Sequence, residues 1–86
     1  MAVYGFIGTG NMGGALARAV SRKVSPAQVL LSNRTAEKAQ ALAAELGCQA
    51  VDNQTAAAQA DYLFLGVKPQ MMADMLAGIA ETLARR

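Results

Sequence analysis

Residues 5–14 read GFIGTGNMGG, a short apolar run threaded with closely spaced glycines. Their neighbours decide how the stretch folds. From Val3 to Ile7 the chain is β-prone and ends on glycine, the pattern of a short buried strand. Met12, Ala15, Leu16, Ala19 and Val20 then recur at spacings of three and four, which predicts a helix with these residues on its inner face. Ser25 and Pro26 break that pattern. The stretch is therefore a strand, a glycine turn and the start of a helix.

The same alternation continues to the end of the chain. QVLLS, residues 28–32, predicts a second strand. A second helix follows, with Thr35 as N-cap, Ala39, Leu42, Ala43 and Leu46 as its apolar stripe, and Gly47 as C-terminal cap. CQAV, residues 48–51, reads as a third strand, and DNQTAAAQA, residues 52–60, as a short helix with Asn53 in the N-cap role. DYLFLGV, residues 61–67, is a fourth, strongly apolar strand. In the last helix Pro69 is tolerated near the start, and Met72, Met75, Leu76, Ile79 and Leu83 mark one face. The Met-rich stretch from Met71 to Met75 reads as packing surface.

Four strand-to-helix alternations with short connections predict parallel strands joined by right-handed crossovers. The fold class is α/β, a Rossmann-like doubly wound parallel sheet of order βαβαβαβα, in one domain spanning residues 1–86. Tyr4 and Phe6 lie two apart on the first strand, and Tyr62 and Phe64 two apart on the fourth, so each pair shares one sheet face. A strand order of 3-2-1-4 would make those strands neighbours and let the pairs pack together; two independent core pairs are the alternative.

Composition narrows the function classes. The 86 residues are 53% hydrophobic, which suits one globular domain with a small core. Nineteen alanines favour close helix packing. Cys48 is the single cysteine and histidine is absent, so neither an internal disulfide nor a zinc site is expected. The net charge of +2 is scattered, without the basic and aromatic interleaving of a nucleic-acid surface. No basic leader or long apolar segment suggests secretion or membrane insertion, so no membrane partner and a cytoplasmic location are expected.

Gly8, Gly10 and Gly13 form G-x-G-x-x-G between a strand and a helix, the context in which the pattern points to a dinucleotide. The first glycine permits the turn, the second lets a pyrophosphate reach the backbone, and the third lets helix and strand pack closely. The diphosphate would then meet the unpaired N–H groups of a helix N-terminus. At the tip of the second strand, SNRT has no carboxylate to accept from a ribose 2′-OH; Arg34 instead offers a charged fork for a 2′-phosphate, with Ser32, Asn33 and Thr35 as donors. NADP is favoured over NAD. A solvated loop arginine remains the alternative for Arg34. Lys68, in GVKPQ at the carboxyl edge of the sheet, is placed beside the cofactor or is simply a loop lysine. Asn53 could face the adenine or ribose as well as cap its helix.

With GFIGTGNMGGAL, LSNRTAEKAQALAAELG, DN and DYLFLGVKPQ in register, the chain resembles the N-terminal part of pyrroline-5-carboxylate reductase over nearly all its length. That resemblance implies NAD(P)H-dependent reduction of a cyclic imine to proline, the last step of proline biosynthesis. It implies cofactor contacts from Gly8, Thr9, Gly10, Asn11, Met12 and Gly13, from Ser32, Asn33, Arg34 and Thr35, and from Asn53, Val67, Lys68 and Pro69. VKP is the most discriminating piece. It further implies an amino-terminal fragment: family members carry more strands and a helical domain that dimerises and builds the imine pocket. A small-molecule imine is then the substrate of the full-length protein, a homo-oligomer is expected, and no catalytic residue is named. Two other readings stay open, a stand-alone dinucleotide-binding module and the cofactor domain of a 3-hydroxyisobutyrate-type dehydrogenase.

Overall fold

Strands and helices alternate along residues 2–8 and 11–85, which the computed structural model describes, residues 11–13 by their backbone alone. The elements are β1 (Tyr4–Ile7), α1 (Asn11–Ser21), β2 (Val29–Ser32), α2 (Ala36–Leu46), β3 (Gln49–Ala50), α3 (Asn53–Gln59), β4 (Tyr62–Leu65) and α4 (Pro69–Ala84). The strands form one parallel sheet in the order β3-β2-β1-β4, as the alternation predicts. Register on β4 sets Tyr4 opposite Tyr62 and Phe6 opposite Phe64. Both pairs stack, with ring centroids 5.3 Å and 4.8 Å apart, so they form one aromatic seam rather than two independent clusters.

Successive residues of β1 feed opposite sheet faces. Phe6 joins Ala17, Val29, Leu31, Ala39, Leu42 and Ala43 in the core under α1 and α2. Ile7 joins Ala56, Ala57 and Ile79 on the other face, under α3 and α4. The sheet is thus wound on both sides. Alanine does much of the filling, and it allows very close approach: a Cβ on Gly5 would lie 2.7 Å from Ala60 Cβ, so the α3 side packs directly on bare β1 backbone.

Two helices turn different faces inward from those their spacing predicts. In α1, among the described side chains, Gly14 and Ala17 are buried and Val20 packs on the core as expected, whereas Ala15 and Ala19 are exposed and Leu16 is 46% exposed; the Met12 side chain lies outside the described residues. Small residues are what the short distance to the sheet admits, so the bulkier side of the helix faces out. In α4 the expected stripe is split: Met75 and Ile79 reach the core, while Leu76 and Leu83 lie exposed. This helix packs chiefly on α3, a narrower surface than a sheet, and buries a correspondingly narrower stripe.

Caps explain where the helices start and stop. Gly47 closes α2 in the left-handed region at φ 74, as expected, and Pro69 opens α4 at its first turn. Thr35 occupies the N-cap of α2 without a side-chain capping bond. The cap of α3 is Asp52, not Asn53: its Oδ1 accepts from the Thr55 N–H at 2.7 Å. Those bonds hold its carboxyl below the usual carboxylate range. A short 3₁₀ turn, Pro26–Gln28, with a Ser25 and Gln28 capping box, carries the chain into β2.

Candidate cofactor site

The carboxyl ends of the three longer strands are tied together. The Gly8 N–H donates to the Ser32 carbonyl at 2.8 Å, and the Gly66 N–H donates to the Ile7 carbonyl at 2.7 Å. Gly8 itself has φ 92, and a Cβ there would lie 2.7 Å from the carbonyl carbon and oxygen of Gly66. Two independent restraints, conformation and space, therefore demand glycine at the exit of β1. The chain next enters α1 at Asn11, whose N-terminus opens at this same edge of the sheet. Thr9 and Gly10 lie outside the described residues. Asn11, Met12 and Gly13 occupy the first turn of α1.

At the tip of β2, Ser32 is 1% exposed and its hydroxyl donates to Asn53 Oδ1. That bond ties the tip of β2 to the first turn of α3 and fixes the half-buried Asn53 amide. Asn33 Nδ2 donates to the Thr35 carbonyl at 3.2 Å, shaping the loop between β2 and α2. Thr35 and Arg34 are exposed. Arg34 reaches towards α4, where its Nη1 donates to Met71 Sδ at 3.3 Å.

These residues enclose a cleft over the sheet edge. One compartment of about 650 Å³ is bounded by Ser32, Asn33 and Arg34 on the β2 side, by Asp52, Asn53 and Gln54 on α3, and by Asp74, Met75 and Gly78 on α4. A second, of about 480 Å³, runs from Ile7 at the end of β1 to Val67 and Met71, and shares Arg34, Asn53, Asp74 and Met75 with the first. Five of the expected residues, Ser32, Asn33, Arg34, Asn53 and Val67, thus line one continuous hollow. Thr35 and Lys68 stand at the N-caps of α2 and α4, and Pro69 opens α4, all outside the lining of both compartments.

The wall contributed by α4 was not expected from the sequence. Met71 and Met75, which read as packing surface, face the cleft, although Met75 also packs on the core. Asp74 lies between them. A signal was present: Pro69 fixes where the helix begins, and from that start positions 71, 74, 75 and 78 fall on one face. Among the described residues no group of three or more metal-ligating side chains occurs. Nor is any described helix long and apolar enough to cross a membrane.

A parallel sheet of order β3-β2-β1-β4, with a glycine pinch at the end of β1 and a cleft over its carboxyl edge, defines a Rossmann-like nucleotide-binding domain. Residues 3–86 match the family described as NADP oxidoreductase, coenzyme F420-dependent, and the chain belongs to that family. It is 34% identical over 85 residues to pyrroline-5-carboxylate reductase of Corynebacterium melassecola, covering 96% of this chain and 32% of the relative. The chain thus spans about a third of the length of that curated relative. The solved pyrroline-5-carboxylate reductase of Coxiella burnetii superposes with a TM-score of 0.89 at 24% identity, over 99% of this chain and 32% of that one. The Plasmodium falciparum pyrroline carboxylate reductase, solved with NADP bound, superposes with a TM-score of 0.77 at 22% identity, over 99% of this chain and 31% of that one. The resemblance read from the motifs is therefore sound.

Proposed function

We propose that this chain is the NADP(H)-binding part of an imine reductase that converts pyrroline-5-carboxylate to proline. The observation that carries the proposal is Arg34, at a β2 tip without a carboxylate, directed across a cleft at the carboxyl edge of the sheet. A guanidinium there provides a permanent charge and a planar fork for a 2′-phosphate. The Plasmodium relative solved with NADP supports the same choice of cofactor.

The residues fit the group. The unpaired N–H groups of the first turn of α1 suit an anion, and Thr9, Gly10, Asn11, Met12 and Gly13 are assigned to the pyrophosphate there. Asn33 and Thr35 would join Arg34 at the 2′-phosphate, while the buried Ser32 hydroxyl, which donates to Asn53 Oδ1, would act through the Asn53 amide. Val67, Lys68 and Pro69 border the β4 exit, where Lys68 would add positive charge. When bound, NADPH supplies a hydride to the electrophilic carbon of a C=N bond. Substrate binding and any proton transfer are assigned to parts of the longer reductases that this chain does not align with, so the chain by itself is expected to be inactive. We place the protein in the cytoplasm, a reducing compartment that suits its lone cysteine.

Calorimetric titration of the purified chain with NADPH and NADH tests the proposal. Preferential binding of NADPH is the expected outcome. Equal affinity for the two would overturn the preference for NADPH, and binding of neither would remove the cofactor site from this chain.

A further inference from the structure

The charged side chains on the cleft wall, among the described residues, are Arg34, Asp52 and Asp74. Asp52 is engaged, since Oδ1 accepts from the Thr55 N–H and caps α3. Asp74 is an exposed carboxylate in the middle of α4 and borders both compartments together with Arg34. It follows Met71, which receives the Arg34 guanidinium, by three residues and so lies one turn along the same helix face. Neither Asp74 nor Arg34 takes part in the ion pairs among the described residues, Arg18 with Glu45 and Arg85 with Glu81. The two charges thus share a hollow without neutralising each other at contact distance.

We propose that Asp74 is a cofactor-specificity residue: from α4 its carboxylate disfavours a 2′-phosphate in the cleft, and so holds discrimination for NADPH over NADH below what Arg34 alone would set. The inference rests on the cofactor site proposed above and refines it. A 2′-phosphate brings negative charge to the Arg34 side of the cleft, and a carboxylate on the facing wall repels it. NADH has a hydroxyl at that position and meets no such repulsion. Cofactor preference is then a contest between one cation on the β2 loop and one anion on α4, and only the cation belongs to the loop in which the preference is ordinarily read.

Asp74→Asn and Asp74→Ala, titrated with NADPH and NADH, test this. Like charges in a solvent-open cleft change affinity by roughly three- to tenfold, so NADPH should tighten by about that factor while NADH stays within about twofold. The gain should persist with adenosine 2′,5′-bisphosphate, be missing with AMP, and shrink as salt is raised. Equal changes for both cofactors, or weaker NADPH binding, would overturn the inference, the latter because Asp74 would then be accepting a hydrogen bond from the cofactor. If the unsubstituted chain prefers NADPH and the variants do not shift, the inference fails alone. If the unsubstituted chain binds neither cofactor, the proposed function fails and this falls with it.

Discussion

Two glycines do different work within four residues of each other. Gly8 combines φ 92 with a Cβ position 2.7 Å from Gly66 backbone, which cannot yield as a side chain would. Gly8→Ala should therefore cost roughly 2–4 kcal/mol of stability, read from urea denaturation. A near-neutral result would show that the loop can shift freely. At Gly5 the nearest obstacle is a methyl group, Ala60 Cβ, at 2.7 Å, with Leu63 Cδ1 next at 3.2 Å. Gly5→Ala should destabilise by about 1–3 kcal/mol, and Ala60→Gly should recover part of that loss in the double variant. Strict additivity would mean that some other contact limits the site. Arg34→Ala should weaken NADPH by about 10- to 100-fold, as loss of a charge-assisted contact does, and leave NADH within about twofold. Equal losses would make Arg34 a general cleft residue. The turn at Gly8 and the place of Arg34 on the cleft were legible in the sequence, because each follows from local motif position. Gly5, Met71 and Asp74 were not, because their roles arise from elements more than thirty residues away in sequence, or from the direction in which a distant helix turns.

Element by element, existence and order followed from hydrophobic period, while orientation did not. The four strands, four α-helices and sheet order agree with the reading of alternation and aromatic spacing. The inner faces of α1 and α4 differ from it, because an apolar stripe predicts burial only when the neighbouring surface is wide enough to receive it. At α1 the space admits Gly14 and Ala17, and Leu16 is left out. The misplaced cap of α3 has a similar origin. Asp52 and Asn53 are both good N-caps, and the partner of each decides: Ser32 takes Asn53, leaving Asp52 to accept from Thr55. This cap has a pH signature. Folding lowers the Asp52 pKa through hydrogen bonds from Thr55, so its stabilisation is fully present above the ordinary carboxylate range, about pH 4, and is lost as pH falls through the folded-state value. Asp52→Asn keeps an acceptor without a titrating charge. Its melting temperature should fall less than that of the unsubstituted chain between about pH 6 and about pH 3. Glu45, lowered by its hydrogen bond from Arg18, titrates in the same sense in both proteins and cancels in the comparison. Parallel acid curves would assign the acid sensitivity elsewhere.

The whole molecule is as compact as its length requires but more exposed. Its radius of gyration of 11.7 Å is close to the roughly 12 Å expected of a chain of 86 residues. Its accessible surface is 5288 Å², against about 4,800 Å² for an average folded protein of its mass. Several large apolar side chains lack cover. Tyr62 and Leu65 are exposed on β4, which among the described residues pairs only with β1, and Leu76 and Leu83 are exposed on α4. A strand edge beside exposed apolar side chains is a template for pairing with another chain. The relatives, three times as long, have further chain to place against such faces; in isolation these 86 residues have a second copy of themselves. The expected result is concentration-dependent association in light scattering, with β4 edges in contact. Leu65→Lys should suppress it, because a charge on an edge strand opposes edge-to-edge pairing, whereas Leu16→Lys, on the far side of the sheet, should leave it intact. A monomer at every accessible concentration would show that the aromatic seam and the short length of β4 already suffice to close that edge. Suppression by Leu16→Lys instead would move the contact to α1, and with it the reason for the outward-facing side of that helix.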